Sequence, residues 1–64
     1  MTVRAWRRAR EISQTEMASR LDVHVNTYQN WENEPEKITI ANAMKISQIL
    51  GIELNDIDFV TEEH

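Results

Sequence analysis

Apolar residues recur along this chain in short bursts at helical spacing, and residues that cap helices separate the bursts. Thr2 can cap a first helix, Val3 to Glu11, whose apolar stripe is sparse: Val3, Trp6 and, one position beyond the helix, Ile12. Ser13 opens a second. Ser13 and Glu16 have the spacing of a capping box, and Ile12 with Met17 that of a hydrophobic staple. Asp22 ends this helix, at a place where a left-handed residue is expected. A third runs from Val25 to Glu32, with His24 as a poor cap. Pro35 forces Glu34 out of the helical region, and Asn33 to Ile38 reads as a polar loop. Thr39 caps a fourth helix, Ile40 to Leu50, stopped by Gly51. Its apolar set of Ile40, Ala43, Met44, Ile46, Ile49 and Leu50 is dense, which predicts the centre of the core. A last short helix is expected at Leu54 to Asp58, followed by a polar tail from about Phe59.

The most informative stretch is residues 13–33. Met17, Ala18 and Leu21 lie on one face of one helix, Tyr28 and Trp31 on one face of the next, and the chain changes direction at Asp22. Two short helices joined by a tight turn read as a helix-turn-helix, a unit whose second helix most often lies against DNA. With Tyr28 and Trp31 inward, the outward positions are Val25, Asn26, Gln29 and Asn30. Asn and Gln can bond the N6 and N7 of adenine together, and Val can touch a thymine methyl. A plain solvated face would more often carry Lys and Glu.

Length and charge bound this reading. The 64 residues are expected to form one small domain, 1–64, with no room among them for a second sensing or catalytic unit. Cysteine is absent, so neither a disulfide nor a thiolate metal site braces the core. No apolar run approaches the roughly 20 residues of a membrane span and no signal peptide is visible, so a cytoplasmic location is expected. The net charge of −4 opposes nucleic-acid binding at first sight. Its distribution is uneven: residues 1–31 hold five arginines against three acids, and residues 32–64 hold two lysines against eight acids. A duplex responds mainly to the local field of the face that docks.

The string Ser13-Gln14-x-Glu16-Met17-Ala18, then Leu21-x-Val23, Thr27-Tyr28 and Trp31-Glu32-Asn33, resembles the Cro and phage-repressor class of bacterial regulators, also called the xenobiotic-response-element class. Ile46, Leu50-Gly51-Ile52, Leu54 and Ile57 resemble the closing helices of the same family. The resemblance implies five helices around one core, the lambda-repressor-like all-α fold, and binding to operator DNA as a two-fold dimer. It implies base contacts from Val25, Asn26 and Asn30 with Gln29 close by, and backbone contacts from Gln14, Asn33 and Lys37. It also implies that Arg7 pairs with Glu32 and faces a backbone phosphate as well. Arg4, Arg8 and Arg10 would widen the positive patch or form a solvated face. The chain departs from the family pattern at Asp22, where Gly is usual, and at His24, where Ser or Thr is frequent.

Other chemistries find little support. Trp6 and Trp31, at helical spacing beside Met17 and Met44, read as core residues rather than a ligand-stacking pair. His24 and His64 are isolated, which disfavours a metal site, and no acid–base pair or triad has a spacing to rest on. Neither enzyme activity, a cofactor nor a small-molecule ligand is expected. Leu54, Ile57, Phe59 and Val60 remain as an apolar strip once the core is filled. This predicts a weak homodimer interface completed on a palindromic site, against the alternative that Leu54 and Ile57 close the monomer core under Phe59. The rival function is an antitoxin-like or protein-interaction module, with which the acidic second half is compatible.

Overall fold

The computed structural model describes residues 1–59, so Val60 in the expected apolar strip lies outside the described residues. Four α-helices follow in order: α1 (Val3–Ala9), α2 (Gln14–Leu21), α3 (Val25–Asn33) and α4 (Ile40–Leu50). Two single 3₁₀ turns, Pro35–Lys37 and Leu54–Asp56, complete them. The all-helical reading therefore holds. The expected fifth helix is the second of these turns, and part of the loop after α3 is the first.

Capping side chains start each helix as the sequence implies. Thr2, Ser13 and Thr39 accept from the N–H groups of Ala5, Glu16 and Asn42. The capping box is only half made, because the Glu16 carboxylate turns to Arg20 at 2.8 Å. His24 caps α3 better than its residue type suggests: its ring Nδ1 accepts from the Asn26 N–H at 3.1 Å.

Three helices end in the same way, with one left-handed residue and two overlapping bonds back to the last turn. After α2, Asp22 has φ 58°, and Val23 N–H reaches Ala18 O at 3.0 Å. After α4, Gly51 has φ 70°, and Ile52 N–H reaches Ser47 O at 3.0 Å. After α1, Glu11 has φ 57°, and Ile12 N–H reaches Arg7 O at 3.2 Å. α1 is thus two residues shorter than expected. Glu11 leaves the helix so that Ile12 can swing onto the core and Ser13 can begin α2.

The core consists of Val3, Met17, Ala18, Leu21, Tyr28, Ile46, Leu50 and Ile57, with Trp6, Ile12, Val25, Trp31, Ile49 and Phe59 half-buried at its edge. Two expectations are corrected here. In α4 only Ala43, Ile46, Ser47 and Leu50 form the buried stripe, whereas Ile40 is 76% and Met44 49% exposed. Met44 stands about 100° round the helix from Ala43, and Ile40 opens the helix beyond the packed stripe. The two tryptophans border the core rather than fill it.

α1 also holds the end of the described chain. The Trp6 indole donates to the Asp56 carbonyl at 2.8 Å. Arg10 lies 5.4 Å from the Trp6 ring centroid and donates to the Leu50 carbonyl at 2.9 Å, which gives the C-terminus of α4 a cation. Thr2 bridges Asp58 in parallel register.

Candidate nucleic-acid interface

Packing α3 against α2 buries Tyr28 and Glu32 and leaves Asn26, Gln29 and Asn30 exposed. Positions 26, 29, 30 and 33 follow the i, i+3, i+4, i+7 rule and therefore share one face of the helix. All four carry amide side chains. Val25, half-buried, packs at the edge of the core, so only part of it is available at the helix tip.

Behind this amide face stands a buried carboxylate. The Glu32 side chain has no exposed area and accepts from four residues. Arg7 Nε donates to its Oε2 at 2.6 Å and Arg7 Nη2 to its Oε1 at 3.4 Å. Gln14 Nε2 reaches Oε1 at 2.9 Å, and Arg4 Nε the same oxygen at 3.3 Å. The Tyr28 hydroxyl donates to Oε2 from one turn earlier in α3. Burial by itself would favour the neutral acid. The bonds from Arg7, Tyr28 and Gln14, together with the charge of Arg7, outweigh it and hold Glu32 below the usual carboxylate range. The same bond raises Arg7, while burial and then the bond to Glu32 raise Tyr28.

Hydrogen bonds join Arg7, Gln14, Gln29 and Asn33 into one cluster around Glu32, directly or through a shared neighbour. Arg7 forms the expected pair with Glu32. With a side chain only 9% exposed and Nη1 bonded to the Ile12 carbonyl, it supports the site from beneath rather than lining it. Gln14 sits half-buried at the first turn of α2, and its Oε1 accepts from Gln29 Nε2 at 3.1 Å. Asn33 ends α3 and accepts from Arg4 at 2.8 Å. Lys37, in the 3₁₀ turn after α3, is exposed and pairs with Glu34 at 3.2 Å.

Two features were missed in the sequence. The Tyr28–Glu32 bond was signalled only by an i, i+4 spacing. Arg4 was one of three equivalent arginines; the fold joins it to Glu32 and Asn33 and sends Arg10 to the opposite end of α1.

The apolar strip is divided. Ile57 is buried in the core, Phe59 packs half-buried against the core, and Leu54 is half-buried. Of the two readings for Ile57, its burial fits the one in which it closes the monomer core. Among the described residues no group of His, Cys, Asp and Glu could hold a metal ion, and no helix is long and apolar enough to cross a membrane.

A helix-turn-helix family model matches residues 3–57. No curated protein and no solved structure gives a significant match. The family match runs from the start of α1 to the core residue Ile57, and so takes in both the α2–turn–α3 unit and the carboxylate that ties it to α1. On that extent the chain belongs to the helix-turn-helix family of DNA-binding regulators, in the class of the Cro and phage repressors.

Proposed function

We propose that the chain is a sequence-specific repressor of phage, prophage or mobile-element type, which inserts α3 into the major groove of double-stranded DNA. The observation that carries this reading is the exposed amide face of Asn26, Gln29 and Asn30 on a helix whose other face is locked into the core. Those three residues and the free part of Val25 read base edges. Gln14, Asn33 and Lys37 meet the phosphate backbone on either side, with Lys37 exchanging Glu34 for a phosphate. Arg7 contributes positive potential from beneath and holds α3 against α1.

A single α3 buries too little surface for specific affinity, so two copies are expected on half-sites about 34 Å apart. The described chain measures 28 × 23 × 23 Å, a size that lets two copies sit side by side at that spacing. Leu54 and Phe59 supply the weak contact between them.

Selection of duplexes from a random pool at low and moderate salt tests the function. Recovery of a two-fold symmetric sequence, bound less tightly as salt rises, is the expected result. Equal recovery of all sequences at both salts would refute it.

A second reading has one observation in its favour. Ile40 and Met44 are exposed and adjacent on α4, on a chain whose second half is acidic, which suits a protein-interaction module of antitoxin type. Such a module keeps its partner when Asn26 and Asn30 are replaced, whereas a DNA-binding regulator loses its duplex.

A further inference from the structure

Resting on the reading of α3 as the base-reading helix, we propose that Glu32 and Gln14 act as positioning residues that fix which edge of Gln29 faces the groove, and that Gln29 is thereby set to read adenine. An ionised carboxylate has acceptors only. Glu32 accepts from Gln14 at 2.9 Å, so the Gln14 amide must turn its NH₂ inward. Its carbonyl oxygen must then point outward, towards Gln29.

That oxygen in turn accepts from Gln29 Nε2 at 3.1 Å. The order of donors and acceptors runs from a fully buried carboxylate to an exposed side chain on α3, and each link admits only one orientation. Gln29, exposed on α3, is left with its Oε1 and its second N–H to offer a base. An outward acceptor calls for a base with an amino group in the major groove, adenine N6 or cytosine N4. The adjacent N–H calls for an acceptor next to that amino group, which adenine has at N7 and cytosine lacks. Without Gln14, a free Gln29 could rotate its amide and accept other bases. Gln14 thus acts on specificity at one base pair, in addition to any phosphate its own second N–H meets.

The test passes four proteins through one random-duplex selection: the parent, Gln29→Ala, Gln14→Met and the double variant. Each is then titrated against four duplexes that differ only at the pair whose preference Gln29→Ala erases. Gln29→Ala is expected to reduce discrimination for adenine there about tenfold. Gln14→Met, which keeps the length and removes the bonds, is expected to reduce it at least about threefold at the same pair. Preferences governed by Asn26 and Asn30 stay within about twofold, and the double variant is no worse at that pair than Gln29→Ala. Thermal melts check that each variant folds, and Gln14→Ala replaces Gln14→Met if the latter does not.

A Gln14 variant that keeps full discrimination, or weakens all four duplexes by one factor, overturns the positioning role while α3 remains the reader. If Gln29→Ala changes no position, or the preferred base there is not adenine, the assignment of Gln29 falls. If the parent selects no sequence, the proposed function falls with it.

Discussion

Arg7 in α1 and Glu32 near the end of α3 meet at 2.6 Å, and the carboxylate between them has no exposed area. Removing one partner of such a pair leaves an uncompensated buried charge, a loss of about 3–5 kcal/mol. A domain of this size has a total stability of roughly 3–10 kcal/mol. Glu32→Ala should therefore remove about half of the stability and lower the melting temperature sharply, while Glu32→Gln, still able to accept one bond, should lose less. Circular dichroism melts of the two variants check this. A Glu32→Ala protein as stable as the parent would show that the pair orders α3 without supporting the fold.

The pH dependence of stability follows from the same cluster. Glu32 is held below the usual carboxylate range in the folded chain. Its contribution is fully present above about pH 4.3, the ordinary unfolded value, and is lost as the pH falls through the folded one. Tyr28 is raised by burial and by its bond to Glu32. Its contribution is present below about pH 10 and is lost as the pH rises beyond that. Urea midpoints should fall on both sides, and Tyr28→Phe should remove the alkaline fall specifically.

Asp22 and Glu11 both stand in the left-handed region, at φ 58° and 57°. A non-glycine residue there carries a strain of about 1–2 kcal/mol. Glycine relieves it but adds disorder to the unfolded chain, so each of Asp22→Gly and Glu11→Gly should be neutral or stabilise by up to about 1 kcal/mol. Thermal melts decide, and a marked drop would indicate a specific bond from the replaced side chain.

The two sides of α4 should respond oppositely to substitution. Ile46 is fully buried whereas Ile40 is 76% exposed. Ile46→Ala should cost about 2–5 kcal/mol. Ile40→Ser should stay within about 0.5 kcal/mol in the isolated chain. If Ile40→Ser shifts the sedimentation behaviour at constant stability, the exposed face of α4 contacts another molecule.

On DNA, Asn26→Ala and Asn30→Ala should each cost about 1–3 kcal/mol on the best site and relax one base preference. Lys37→Ala should weaken all duplexes alike and reduce the magnitude of the slope of log K against log salt by about one unit. Lys37→Ala also leaves the charge of Glu34, its partner at 3.2 Å, without its cation, so the affinity loss should shrink in the Glu34→Gln background. A sequence-selective loss for Lys37→Ala would contradict the phosphate assignment.

The sequence by itself determined where helices begin and which face of each points inward around the turn. Caps and stop residues act within a few positions, so Thr2, Ser13, Thr39 and Gly51 were legible without any fold. The same locality explains Asp22, whose position between two stripes demanded a left-handed residue. The tertiary structure alone decided what depends on distance across the chain. It chose Arg4 for Glu32 and Asn33, and Arg10 for Trp6 and Leu50, although the two arginines lie only six residues apart, one in α1 and one as its C-cap. It left Ile40 and Met44 outside a core that their hydrophobicity had suggested they enter, because the stripe through Ala43, Ile46, Ser47 and Leu50 already filled the space against α1 and α2. It also drew Ile57 inward. Periodicity reports that a residue has an apolar neighbour on its own helix; whether another element arrives to cover it is fixed by packing, and that is decided only when all the helices are in place.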